Sequence, residues 1–265
     1  MDSDRVVVGL DSVSSDSPAL HWAAREAWLR RSELLIVHAV DLRETAPTGQ
    51  PQAADAGRRI LADASALIAA RWPELRARTL LADVAPTEAL VEVSGDAELL
   101  VLGNNGYRDL GVSMLGTVGH RVAAHSRCPV VVVPALLSAA AAAVPERVTV
   151  GLAATRAGRL ALAAAFAQAR LHGYPVTGIR VTSGSEPVAD GDSLDPLVAP
   201  PDIAFDLLER TGEAVEVLLS AGQRSALLVL GCQHSDEPWS ARLGSVPAAL
   251  LGRLSCPLML VGQSC

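Results

Sequence analysis

The chain is short of aromatic residues, with four Trp, two Tyr and two Phe among 265. A core of that size must then be filled by Ala, Val and Leu, which suit helices laid closely on buried parallel strands. Cysteines are equally sparse. Cys128, Cys232, Cys256 and Cys265 form no CxxC pair and no His/Cys spacing of the zinc-binding kind, which excludes a disulfide scaffold or zinc module and fits a reduced cytoplasmic chain. Positive charge is in deficit, 22 Lys and Arg against 29 Asp and Glu, for a net charge of −7. That argues against a nucleic-acid-binding face. It does not exclude a phosphate ligand, because main-chain N–H groups at a helix start hold phosphate without Lys or Arg. Long apolar runs are lacking too. The longest, Pro129–Val144, contains Pro134 and Ser138 and falls short of the ~20 residues a membrane helix needs. It reads as a buried strand followed by an Ala-rich linker. The opening MDSDRVVVGLD has no charged segment leading into an apolar one, so no secretion signal is expected.

What is present is a repeat. VVVGLDSVSSDSPALHWAAREA from Val6 matches VTVGLAATRAGRLALAAAFAQA from Val148, an offset of 142. LLVLGNNGYRDLGVSMLGTVGHRVAAHSRCPVVVV from Leu99 matches LLVLGCQHSDEPWSARLGSVPAALLGRLSCPLMLV from Leu227, an offset of 128, without a gap. Chance likeness between Ala-rich helices would not reproduce Gly103/Gly231, Gly116/Gly244 and Cys128/Cys256 at one spacing. The expected domains are 1–138 and 147–265, joined by a linker at 139–146. The first copy is longer between its first strand and its glycine loop. The surplus is expected near Leu42–Gly57, whose Thr, Pro, Gly and Gln read as loop.

Within the first copy, Val6–Leu10 and Leu34–Val40 read as strands, with a helix between them opened by Ser17-Pro18. A helix from about Asp55 to Ala70 follows, then a strand at Arg76–Leu81, a short helix at Thr87–Ser94 and a strand at Leu99–Gly103. After a glycine loop come a helix at Thr117–Ala124 and a strand at Val130–Val133. This alternation predicts an α/β fold, a five-stranded parallel sheet with helices on both faces in each copy. Ligands of such sheets bind beyond the C-terminal strand ends where the winding reverses.

Gly9, Asp11, Ala39 and Gly103 all fall at such ends. The segment GNNGYRDLGVSMLGT has the form G-x2-G-x9-G-T, with Gly103, Gly106, Gly116 and Thr117. Gly103 lets a ligand approach the backbone, and Gly106 can turn successive N–H groups inward as an anion nest. Gly116-Thr117 opens a helix, so its N–H groups and positive dipole end suit a phosphate. The loop lacks the GKT or GKS of a Walker A motif and is not the Rossmann G-x-G-x-x-G.

Together, VGLD…HAV…VLGxxG…LGTV…CPVVVV resembles the ATP-binding class of the universal stress protein family, across both copies. The resemblance implies two tandem Rossmann-like domains of the adenine nucleotide alpha hydrolase-like kind. It also implies that ATP is held by the first domain, with Mg2+ only as companion of its phosphates. Asp11 matches the residue contacting the adenosine end, and Gly9 a small residue lining the same pocket. Ala39 matches the position whose backbone meets the adenine edge. Gly103, Gly106, Gly116, Thr117 and Val118 match the ribose- and phosphate-contacting loop. Gly119 stands where relatives often carry Ser or Thr, and Arg108 is the one basic residue of the x9 stretch, so the expectation is either a reduced phosphate affinity or tolerance of AMP as well as ATP. In the second copy Asp11, Gly106 and Gly119 become Ala153, His234 and Pro247, and nucleotide binding there is expected to be weak or absent. The resemblance further implies an intrachain pseudo-dimer, with association of two chains, and a regulatory role in stress response.

No catalytic residue is assigned. His120 and His125 lie five apart, not on one helix face, so a metal pair is not expected; His38 reads as a packed histidine. Slow ATP hydrolysis is the most that Asp11 and Thr117 suggest, since neither is an evident base. A weak ATPase and a nucleotide-free dimerisation scaffold stand as alternatives.

Overall fold

In a computed structural model of the chain, the described residues are 5–12, 17–42, 47–104, 117–135, 146–182, 199–232 and 243–262, with Pro47 and Thr117 described by main chain alone. The chain divides into two compact units, Met1–Leu136 and Leu137–Cys265.

A run that is apolar at every position has no water-facing side and belongs in a sheet covered on both faces. Val6, Val7 and Val8 are fully buried and form the middle of β1 (Arg5–Gly9). Around it the first unit places β2 (Glu33–Ala39), β3 (Ala77–Ala82), β4 (Leu99–Asn104) and β5 (Val130–Pro134). Their order is β3-β2-β1-β4-β5, and every neighbouring pair is parallel. Strand β1 thus lies between β2 and β4, and the crossovers leave it in opposite directions. Gly9 stands opposite both Val37 of β2 and Leu102 of β4.

The helices are α1 (Pro18–Arg30), α2 (Gln50–Arg71), α3 (Pro86–Val93) and α4 (Thr117–His125). Pro18 starts α1 with a preset φ at a position that needs no N–H. Ser17 holds the N-cap place through its carbonyl, which accepts from His21 N–H at 3.1 Å; its hydroxyl makes no cap bond. Ala23, Ala24 and Ala27 are fully buried, and their small side chains let the helix lie close on the strands. Arg31 ends α1 in the left-handed conformation, φ 58°, with its N–H turned back to Ala27 and Trp28 carbonyls.

One expectation is corrected. The stretch Leu42–Gly57 reads as loop, but a 3-10 turn at Pro47–Gly49 leads into α2 at Gln50. Pro51 sits in the first turn, where it starts a helix rather than breaking one. Gly57 is buried inside α2, and its glycine serves a contact rather than a bend. A Cβ there would stand 2.7 Å from Leu81 Cδ1 and 2.9 Å from His38 Cδ2. The extra length of the first copy therefore lies in the β2–β3 crossover, of which α2 is the main part.

The second unit repeats the plan with β6 (Val148–Leu152), β7 (Val176–Thr182), β8 (Phe205–Thr211), β9 (Leu227–Gly231) and β10 (Leu258–Val261). Its order is β8-β7-β6-β9-β10, again all parallel. Its helices are α5 (Arg156–His172), α6 (Ala214–Gly222) and α7 (Ser245–Leu250). Among the described residues no helix is long and apolar enough to cross a membrane.

Candidate functional site

Where β1 and β4 end side by side, the first unit holds a cavity of about 330 Å3. This is the reversal point of the winding, where open α/β sheets leave room for a ligand. Gly9, Leu10 and Asp11 form one side, and Val37, His38 and Ala39 of β2 the next. Leu102 and Gly103 of β4 and Val133 of β5 complete the strand wall. Three helices close the space: α1 with Ser17, Pro18 and Ala19, α3 with Pro86 and Leu90, and α4 with Val118 and Gly119. Leucine, valine and proline side chains thus make apolar walls, with main-chain groups at the strand ends and the first turn of α4 at its rim.

The polar groups are few. Asp11 is exposed at the mouth, and its Oδ1 accepts from the Ser12 hydroxyl at 3.2 Å. His38 is buried, and its Nδ1 lies 2.8 Å from the Leu10 carbonyl. A carbonyl only accepts, so Nδ1 carries the hydrogen of that bond. Among the described residues no group of three His, Cys, Asp or Glu side chains is placed to hold a metal ion. Cys128, Cys232 and Cys256 are buried free thiols. Burial pushes the Cys256 thiol up to about 12, so it is no nucleophile at neutral pH.

Of the residues chosen from sequence, Gly9, Asp11, Ala39, Gly103 and Val118 come together on this cavity. Thr117 is the first residue of α4; its side chain, Gly106 and Gly116 lie outside the described residues. Sequence reasoning missed Pro86 and Leu90, the cover supplied by α3. The turn signal Ala85-Pro86 after β3 marks that helix start, but nothing local says which strand end it overhangs. It also left out Ser17 and Pro18, although Ser-Pro marks the helix N-terminus that reaches the cavity.

Gly9 has a second duty. A Cβ there would lie 2.9 Å from Leu90 and 3.1 Å from Leu102. In the second unit, Gly151 meets the equivalent Leu218 and Leu230 in the same way. This glycine makes room for a leucine pair in both copies, whether or not a ligand is held.

The strand end at Gly231, the counterpart of Gly103, is covered differently. The turn after β6 is brief, and Thr155 caps α5, its hydroxyl accepting from Gly158 N–H at 3.1 Å. The first turn of α5 lies against Gly231: a Cβ at 231 would collide with the Ala157 carbonyl and stand 2.9 Å from Gly158 N. Gly158 in turn sits on the Ala153 carbonyl with no room for a side chain.

A doubly wound α/β unit with an apolar crevice at its reversal point, rimmed by glycine backbone and a helix start, defines a Rossmann-like domain. The model of the Universal stress protein family matches residues 3–134. A universal stress protein of Mycobacterium tuberculosis is 27% identical over 98% of this chain and 97% of its own length. One solved in complex with cAMP is 30% identical over 49% of this chain and 96% of its own, with a TM-score of 0.37. The crystal structure of a universal stress protein from Archaeoglobus fulgidus covers 99% of this chain and all of its own at a TM-score of 0.80 and 15% identity, a likeness of fold. The chain belongs to the universal stress protein family.

Proposed function

We propose that the chain is an adenine-nucleotide-binding regulatory protein of stress response, with ATP held by the first unit. The carrying observation is the cavity of about 330 Å3 that gathers Gly9, Asp11, Ala39, Gly103 and Val118 at one strand end. Its apolar walls suit a purine ring, the Asp11 carboxylate at the mouth suits ribose hydroxyls, and the start of α4 suits phosphate. Mg2+ accompanies the phosphates in this reading, as their companion rather than as an ion held by a carboxylate cluster, of which there is none among the described residues. AMP is accepted as well, and the chain works in the cytoplasm as a homodimer. The turn of α5 lying on Gly231 favours the first unit over the second as the binder.

The test is to purify the protein, denature it and identify released nucleotide, then to titrate ATP, ADP and AMP with and without Mg2+. Released ATP and micromolar binding support the reading. Steady production of ADP would favour a weak ATPase instead. No released nucleotide, with no thermal shift on adding ATP, would leave a dimerisation scaffold. Sedimentation in the same buffers reads the association state.

A further inference from the structure

Strand β2 outruns β1 at the mouth of the cavity. Leu10 N–H still donates to the Val37 carbonyl at 2.9 Å, and a parallel ladder would next have the Leu10 carbonyl accept from Ala39 N–H. That rung is not made. The Leu10 carbonyl accepts from His38 Nδ1 at 2.8 Å, and Ala39 N–H has no partner among the described residues. Val40 N–H points the other way, to the Ala82 carbonyl of β3 at 2.9 Å. Alternation along the strand therefore turns Ala39 N–H to the β1 side, where Ala39 lines the cavity. A side chain has taken the place of a main-chain donor. The imidazole is buried, and Gly57 of α2 leaves it room: a Cβ at 57 would lie 2.9 Å from Cδ2 and 3.4 Å from Nε2.

We infer that His38 is a positioning residue for base recognition: by engaging the Leu10 carbonyl it leaves Ala39 N–H available to a ring nitrogen of a bound purine. The inference rests on the nucleotide reading above. Adenine presents an acceptor at N1, whereas guanine presents N1–H, which would meet Ala39 N–H donor to donor. A site built around a hydrogen bond rejects the analogue that cannot complete it. His38 therefore sets a preference for adenine over guanine without touching the base.

The test compares wild type with His38→Leu, which removes the donor, and His38→Asn, whose side-chain amide can reach the place of Nδ1. Two readouts are taken on the full chain: NMR hydrogen exchange of the Ala39 amide without nucleotide, and affinities for ATP and GTP. In wild type the Ala39 amide exchanges fast; in His38→Leu the ladder rung re-forms and exchange slows about tenfold or more. ATP affinity of His38→Leu falls about tenfold while GTP affinity is unchanged, so the preference is lost. His38→Asn keeps both wild-type properties. Should His38→Leu fold poorly, His38→Gln serves, because its amide reaches past the Nδ1 position and is expected to behave as Leu does. Equal Ala39 exchange in wild type and His38→Leu overturns the inference. So does equal weakening of ATP and GTP, which would mark a merely structural role, or an unchanged preference. A wild type that binds neither nucleotide overturns the function reading and the base preference together, while the exchange contrast still reports the His38 rung.

Discussion

Strands β1 and β6 carry the same Val-x-Val-Gly-Leu sequence, yet the strand ends beside them are covered differently. After β1 the chain takes eight residues, Leu10 to Ser17, before α1 begins; after β6 it takes Ala153 to Thr155 and winds at once into α5. In the first unit the end of β4 borders a cavity. In the second the end of β9 touches the backbone of Ala157 and Gly158. The same strand order has been kept, and the difference lies in how soon the first helix starts. An early helix lays its own N-terminal turn on the strand end, where a late helix leaves a cavity.

The largest expected effect tests the closed side. Gly231→Val should destabilise the second unit by about 3 kcal/mol or more, because its side chain meets main chain that cannot swing aside. The matching Gly103→Val should cost nucleotide affinity in preference to stability. Thermal unfolding and ATP titration of both variants separate the two costs, and a comparable loss of stability in both would break the contrast. Next comes the carboxylate. Asp11→Ala should weaken ATP binding about 10- to 100-fold, the worth of a hydrogen bond to a charged group, while Ala153→Asp should create no second site; calorimetric stoichiometry reads both.

Smaller effects sharpen the comparison inside the first helices. Glu26 and Gln168 are equivalent by the repeat and both are buried. Glu26 pairs with Arg30 at 3.2 Å, whereas neither amide atom of Gln168 has a partner among the described residues. Gln168→Met keeps the volume and removes the unmet polar atoms, so it should stabilise by about 1 kcal/mol in denaturant titration. The last pair is Arg31 and Gly173, equivalent helix ends at φ 58° and 72°. Only glycine takes that conformation without strain. Arg31→Gly should gain about 0.5–1 kcal/mol, and Gly173→Arg should lose a similar amount.

Much of this was legible in the residues. Runs such as Val6-Val7-Val8 and Val130–Val133 have no polar side and can only be buried strands, and their regular alternation with helices fixes a parallel sheet. The strand-end rule then selects Gly9, Asp11, Ala39 and Gly103, which do meet. What sequence could not supply was the reason for each glycine. Gly9 and Gly151 make room for leucines, Gly231 for a helix backbone and Gly57 for an imidazole, yet all are one letter. Leu42–Gly57 reads as loop for that reason, since proline and glycine there signal a turn unless one knows what packs on them. The cover of the cavity by Pro86 and Leu90 was illegible because it depends on where a later crossover comes to rest.

The buried glycine of α2 has a consequence for anyone who would engineer the chain. By helix propensity alone, alanine at position 57 looks like a gain of about 1 kcal/mol, and consensus or stabilising redesign would choose it early. The added methyl group would press on Leu81 and on the His38 ring, so the nominal improvement of a helix that does not itself line the cavity would be read out as a loosened strand end and, on the nucleotide reading, an altered choice of base.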